Sequence, residues 1–414
     1  MQNKDMFIAD LHIHSKYSRA TSKEMDLEHL AEWAKLKGIA LLATADFTHH
    51  LWLQELKSKL KPKGNGLFSY QDTNFILSAE VSNIYSKGGR GRRVHNVIFA
   101  PDFETVERIN DELAGFGNLS SDGRPMLGLD CTSLIEIVLG ANPDCFIVPA
   151  HVWTPWYSLF GANSGFDTIE ECFGKYAKDI YALETGLSSD PAMNWRLSAL
   201  DRFSLISNSD AHSPSRIGRE ANVFDCAMDY YQILDTLKKK DKKRFLYTVE
   251  FFPEEGKYHY DGHRNCNILY SPQESKKKNN ICPVCGKPLT IGVMHRVEQL
   301  GDRAKGFVPE GAIPFKNLIP LDEIIAESKG MGKASQAVGQ EYRLLVNRFN
   351  NEFEILLKVA EKELAQACAP RLVQGIMNVR AGRVKITPGF DGVYGKIDIF
   401  GEGEQKKEEQ LSFF

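Results

Sequence analysis

The stretch "MFIADLHIHS" (residues 6–15) decides the fold. Met6 to Ala9 is an unbroken apolar run, too continuous for a strand with one wet face, so it reads as a strand buried on both sides. Asp10 ends the run, and His12 and His14 follow one residue apart, which places both imidazoles on the same face of an extended chain. The same pattern recurs along the next two hundred residues. "IALLATAD" (39–46), "NFILSAE" (74–80), "HNVIFA" (95–100), "CFIVPAH" (145–151), "DIYALET" (179–185) and "FSLISNSD" (203–210) are all short apolar runs, most of them closed by polar residues. Between the first two lies "SKEMDLEHLAEWAKLKG" (22–38), an amphipathic helix with Ser22 as its cap, Leu27, Leu30, Ala31 and Ala34 on one face and Gly38 as its stop. Strand and helix in alternation predict an α/β architecture, a distorted parallel β/α barrel whose strand ends converge on one rim.

The bulk numbers agree with an ordinary globular chain. Its 414 residues allow two or three domains, and 43% hydrophobic with 25% charged residues is an average balance. A net charge of -3 excludes a global positive field, so nucleic acid would have to be held by local basic patches. No apolar run reaches the 18 or so residues of a membrane-spanning helix, and "MQNKDMF" lacks the features of a signal peptide. The expectation is a cytoplasmic protein without a membrane partner, its eight cysteines reduced or metal-bound.

Composition divides the chain further. A charge run, "LKKKDKKRF" (237–245), precedes the end of the barrel near residue 250. Residues 251–298 are rich in His, Cys, Gly and Pro and read as a small zinc-binding module. Residues 299–400 read as a mainly helical C-terminal domain in which 339–367 forms one long amphipathic segment. "VRAGRVKITPGFDGVYGKIDIF" (379–400) reads as two strands with Gly-rich turns, and 401–414 as a charged tail.

The histidines are the chemical signal. His12, His14, Asp46, His49, Glu80, His95, His151, Asp210 and His212 mostly fall at or just past strand ends, where a barrel brings them together. Imidazoles and carboxylates in this number exceed what one ion needs, so two or three divalent metals (Zn, Mn, Mg or Fe) bridged by Glu80 and Asp210 are expected. Paired metals lower the pKa of a bound water and clamp attacking and leaving oxygens, which suits phosphoester hydrolysis. "HIH" at the start, a Glu after the third strand, a lone His after the fifth and "SDAH" near the end resemble the polymerase and histidinol phosphatase (PHP) superfamily over residues 1–250. That resemblance implies a TIM-like barrel with a trinuclear site. Where many members carry Thr-Asp-His, this chain has Thr44-Ala45-Asp46-Phe47-Thr48-His49, so Asp46, His49 or both take the vacant role.

A second metal site has different chemistry. His263-x2-Cys266, then fifteen residues, then Cys282-x2-Cys285 is the spacing of a structural zinc, with His259 as a competing ligand. Its loop carries Lys276, Lys277 and Lys278, suited to phosphate.

Three features point to nucleic acid. Arg90, Arg92 and Arg93 lie on a Gly-rich, hairpin-like loop beside His95. The zinc module and helical domain exceed what a small-metabolite enzyme needs, although a phosphatase of a small phosphate ester is the alternative. "YHYDGHRNC", "CPVCGKPLT", "HRVEQLGDR" and "ITPGFDGVYG", following such a barrel in this order, resemble the endonuclease Q family over essentially the whole chain. The resemblance implies a metal-dependent endonuclease that nicks damaged DNA on the 5′ side of deaminated bases (uracil, hypoxanthine, xanthine) and abasic sites. A base flipped from the duplex would then meet Glu184, Ser188, Ser189 and Asn194, with Trp195 to stack on it, while Arg216 and Arg219 hold phosphate. The terminal Gln410, Leu411, Phe413 and Phe414 resemble the short motif by which bacterial replication and repair proteins dock on the DNA sliding clamp, which would place the enzyme on the nucleoid.

Overall fold

A computed structural model of the chain describes residues 6–401. All seven apolar runs contain strands. Met6–Asp10 pairs in parallel with Leu41–Ala43, and that strand pairs in parallel with Thr73–Lys87. Arg90–Ala100 and Phe146–Pro149 continue the sheet. Ala182–Glu184 and Ser204–Ile206 form a parallel pair of their own. The ring is closed by short bonds: Asp210 N–H donates to His12 O at 2.9 Å, and His14 N–H donates to Ala211 O at 3.0 Å. On the other flank of Met6–Asp10 the sheet extends through Ala221–Asp225 and Phe245–Glu250 to Phe315–Asn317.

The sheet is mixed rather than purely parallel. Arg90–Ala100 runs antiparallel to Thr73–Lys87 because Gly88 and Gly89, with φ of 62° and 73°, make a two-residue turn that sends the chain straight back. His95 therefore reaches the rim from the first half of its strand, not from its end. The first helix, Leu27–Lys37, is capped by Asp26, whose side chain accepts from His29 N–H, and not by Ser22. Gly38, at φ 87°, ends it as expected. Asp102, Asp130 and Asp229 open later helices in the same manner as Asp26.

The long amphipathic segment is broken. Gln336–Phe349 stops at Asn350, with φ 77°, and Asn351 caps a new helix, Glu352–Leu357, by accepting from Glu354 N–H. Asn favours both the left-handed conformation and the cap, so two in succession interrupt the pattern. Lys385–Thr387 and Lys396–Asp398 form the expected hairpin. The helices beyond residue 320 share one apolar core with the barrel, in which Ile324, Leu345, Phe353 and Ile376 are all buried.

A buried ion pair crosses the joint between barrel and helices. Lys37 Nζ lies 2.6 Å from Glu352 Oε2, with side-chain exposures of 3% and 5%, and Tyr342 O–H donates to the same oxygen at 2.7 Å. Removing one partner of such a pair strands the other charge in a dry site. Glu352→Ala is expected to lower unfolding free energy by about 3–5 kcal/mol. Lys37→Met combined with Glu352→Leu recovers most of it, as chemical denaturation of the two variants will show.

Candidate active site

His12 and His14 follow the first strand, and both are buried at its end, with exposures of 1% and 0%. Each imidazole is oriented from behind. His12 Nδ1 lies 3.0 Å from both oxygens of Glu184. A carboxylate accepts only, so Nδ1 carries a proton and Nε2 is the atom turned to the rim. His14 Nδ1 faces Ser18 Oγ at 3.1 Å and Asp46 Oδ1 at 3.4 Å, again leaving Nε2 forward.

Glu80 lies where the two halves of the site meet. Its Oε2 is 3.2 Å from His14 Nε2 and 3.5 Å from His12 Nε2, while Asp210 Oδ1 is 3.0 Å from His14 Nε2. Its Oε1 is 2.7 Å from His95 Nδ1 and 3.2 Å from His151 Nε2. Two groups of donor atoms result, each within 4.8 Å: His12, His14, Glu80 and Asp210, and Glu80, His95 and His151. A carboxylate common to both is the arrangement a bridging ligand needs. The donor atoms also fit a metal by default, since His12 Nε2, His14 Nε2 and Asp210 Oδ1 are buried with no hydrogen-bond partner.

The remaining expected residues fall around these groups. His212 packs on His14 with the ring centroids 4.5 Å apart and the planes tilted by 46°, and has Nδ1 2.8 Å from Asp210 O. Asp46 stands behind His14 and accepts at Oδ2 from Ser15 N–H, Ser15 Oγ and Ser18 Oγ, leaving Oδ1 to face His14 Nδ1 with no hydrogen bond of its own. His49 lies farther back, stacked on Tyr17 at 4.4 Å and outside both donor groups. Between the two, Asp46 is the one that touches the site.

The electrostatics follow from these contacts. Burial opposes charge on His12 and His14. Glu184 and Glu80 around the first ring, and Asp210, Asp46 and Glu80 around the second, still hold both well above the usual imidazole range. Burial would raise Glu80, yet His95, Arg124 and His12 keep it well below the usual carboxylate range. The site is built to attract positive charge. Arg124 supplies some: its Nη1 lies 3.1 Å from Glu80 Oε2, and Glu80 raises its pKa further. Arg124 was not among the residues expected from sequence: it lies on an irregular loop just before the short strand Met126–Leu127, with no motif to mark it. The preceding Gly123 fixes that loop, since a Cβ there would meet Asp46 Oδ2 at 2.2 Å.

The base-reading group is not assembled as expected. Glu184 is fully buried, and besides His12 its carboxylate accepts from His151 N–H and Asn208 Nδ2, both at 2.8 Å. Ser189 Oγ donates to Thr185 O, and Asn194 accepts from Trp153 Nε1. Trp195 is 9% exposed and packs on Phe315. Of this set only Ser188 keeps partial exposure. The stretch opens a short helix whose polar side chains satisfy one another, so it supports the site from behind.

The arginines divide similarly. Arg92 is held by Gly165 O and lies 4.2 Å from the Phe166 ring centroid, whereas Arg90 and Arg93 are exposed. Arg216 Nη1 binds Glu323 Oε1 at 2.8 Å, and Arg219 Nε donates to Ser209 O at 3.0 Å. Both line a cleft of about 620 Å³ with Phe251, Lys333 and Tyr394.

In the module beyond the barrel, His263, Cys266, Cys282 and Cys285 bring four donor atoms within 4.8 Å. Gly286, at φ 71°, follows the last cysteine and its N–H donates to Cys282 O at 2.9 Å. Although burial raises the Cys282 thiol, the N–H groups of Cys285 and Val284 bring it down to about 6. His259 is buried nearby in sequence but lies outside the group. The clamp-like residues Gln410, Leu411, Phe413 and Phe414 lie outside the described residues.

Residues 320–383 match the family model described as the MJ0043 C-terminal domain. The chain is 33% identical over 269 residues to the protein MJ0043 of Methanocaldococcus jannaschii, covering 63% of this chain and 32% of that one. It is 29% identical over 407 residues to YqxK of Bacillus subtilis, covering 94% and 98% of the two chains. Its structure is similar to that of the lesion-specific endonuclease PfuEndoQ from Pyrococcus furiosus, with a TM-score of 0.87, 32% identity and 98% of both chains covered. It is also similar to an endonuclease Q complexed with a 27-mer duplex bearing an abasic lesion at the active site, with a TM-score of 0.85, 32% identity and coverage of 98% and 100%.

The carboxylate behind His12 gives a direct test of the geometry. Glu184→Gln removes the charge that fixes the tautomer, and divalent metal affinity is expected to fall about 10- to 100-fold by calorimetry. Unchanged affinity would leave Glu184 with a packing role alone.

Proposed function

The chain belongs to the endonuclease Q family, and from that premise we propose that it is a metal-dependent DNA repair endonuclease. Its substrates in this reading are deaminated bases (uracil, hypoxanthine, xanthine) and abasic sites, with the nick on the 5′ side. The observation that carries the proposal is Glu80, shared between two donor groups at the barrel rim, in a chain aligned over 98% of its length with an endonuclease Q bound to lesion DNA.

His12, His14, Glu80 and Asp210 would hold one ion, and Glu80, His95 and His151 a second, with Asp46 and His212 close enough to complete the set. Two or three divalent ions (Zn, Mn, Mg or Fe) fit these donors, and His263, Cys266, Cys282 and Cys285 would hold a structural zinc. When bound, the rim ions supply an activated water and neutralise charge on the phosphate. The chain's own part is orientation. Glu184 and Ser18 fix the ring orientations that turn two Nε2 atoms forward, and the buried walls exclude bulk water from His12 and His14. Arg124, 3.1 Å from Glu80, would be within reach of a non-bridging phosphate oxygen if Glu80 held an ion. Arg90 and Arg93 on one side and Arg216 and Arg219 on the other suit the flanking phosphates of a polymer better than a small ester.

The test is a labelled duplex with one uracil or hypoxanthine, incubated with Mg²⁺, Mn²⁺ or Zn²⁺. The expected product is a single nick immediately 5′ of the lesion, formed about a hundred- to a thousandfold more slowly, the scale of one lost electrostatic contact, in Asp210→Ala. An intact duplex alongside turnover of a phosphate monoester would instead establish the phosphatase alternative.

In this reading the terminal residues tether the enzyme to the sliding clamp in the cytoplasm, on the nucleoid. Deleting 410–414 is expected to abolish clamp binding in a pull-down while nicking of short oligonucleotides continues at the wild-type rate. Loss of both would refute the tether.

A further inference from the structure

Most aromatic side chains on the loop after the fifth apolar run are buried: Trp153 and Phe160 are each 1% exposed and Phe166 is 2% exposed. Trp156 is 42% exposed. Its mount is nevertheless firm. Thr154 Oγ1 donates to Trp156 O at 2.9 Å and lies 3.1 Å from His151 Nδ1. The next residue, Tyr157, accepts from His95 N–H at 3.0 Å and lays its ring 4.9 Å from the His95 ring. The indole is thus carried on a segment bonded on either side to two histidines of the site. One edge meets Tyr258 at 5.4 Å with the rings crossed at 76°, and the remainder is open.

Exposed apolar surface of this size, fixed at the mouth of a site, needs a reason, because the neighbouring Trp153 shows that the loop is able to bury an indole. Beyond Tyr258 the aromatic line continues. Lys257 lies 4.4 Å over the Tyr394 ring, and Tyr394, 69% exposed, lines the cleft with Arg216 and Arg219. Cations for backbone and flat rings for bases border the donor groups together, which is the chemistry of a surface that holds unstacked nucleic acid.

We propose that Trp156 is a positioning residue that enters the duplex beside the reacting nucleotide and stacks in the place that nucleotide leaves. This rests on the endonuclease reading. A rigid ring of base-like size offsets the stacking lost when a nucleotide is extruded, and it does so for any sequence because every base presents a π-face. The indole makes no contact with the chemistry. It acts by holding the distorted strand over Glu80 and Asp210.

The test compares the metal-loaded wild type with Trp156→Phe and Trp156→Ala on two substrates. One is a fully paired duplex with a single uracil, and the other carries the same uracil within a bubble of unpaired nucleotides. For Trp156→Ala, kcat/KM is expected to fall about tenfold or more on the paired duplex, the scale of one lost base–ring stack, and to stay near wild type on the bubble. Trp156→Phe restores most of the loss. With EDTA present, 2-aminopurine beside the lesion is quenched on binding by the wild type and less so by Trp156→Ala. Equal losses on both substrates, or quenching indifferent to the substitution, overturn the proposal and assign Trp156 to packing on Tyr258, where a lowered melting temperature would follow. A wild type that cleaves neither substrate refutes the endonuclease reading instead, and the fluorescence comparison still decides the role of Trp156.

Discussion

The joint between residues 10–14 and 208–211 is the constraint on which the molecule depends. Two segments about two hundred residues apart are bound by a ladder of short contacts. Leu11 N–H donates to Asn208 Oδ1 at 2.9 Å, and Ser209 Oγ to Asp10 Oδ2 at 2.6 Å, while backbone bonds link His12 to Asp210 and Ala211 to His14. Asp10 is fully buried and burial pushes its carboxyl up to about 6 in spite of those donors. Besides Ser209 Oγ, those donors are Ser209 N–H at 3.1 Å and Gly218 N–H at 2.9 Å. Without this joint the first strand and the last loop would not meet, and His14 would lack Asp210. Closing so long a loop carries a large entropic cost, which explains the density of bonds at the seam.

Backbone conformation at the rim follows the same logic. Asp46, His151 and Asp210 have φ of 47°, 31° and 47°, in the left-handed region that costs most side chains free energy. Each is held there by neighbours that leave no alternative: Asp46 by Ser15 and Ser18, His151 by Glu184, Asp210 by His12. The strain turns three side chains inward at once. Rigid supports of this kind are what a site requires when its donor atoms must face one another despite mutual repulsion.

Legibility from sequence tracked how local each signal was. His12 and His14 were readable because a strand's period of two is fixed, and the convergence of His263, Cys266, Cys282 and Cys285 because their spacing closes a small loop. The barrel was readable from its apolar runs, but the reversal at Gly88-Gly89 was read only as a loop, although two successive glycines are its cause. Asn350-Asn351 likewise hid a helix break inside a good amphipathic pattern. Glu184 was expected to face a base, whereas its carboxylate is turned to His12, a contact across 172 residues that no local pattern records. Arg124 was missed altogether. Its role exists only because Gly123 lets an irregular loop press against Asp46, and no periodicity records that.

The pairing of Phe245–Glu250 with Phe315–Asn317 has a consequence for how the protein is made. The barrel's sheet is completed by residues that leave the ribosome well after the barrel itself. Until they arrive, the N–H and C=O groups along one side of Phe245–Glu250 stand unpaired, a template for another chain's strand. A nascent chain, or one cut near residue 250, would carry both donor groups of the barrel rim and still be prone to self-association. Solubility during synthesis thus depends on the segment that follows the His/Cys-rich module, which ties the C-terminal region to the barrel through folding.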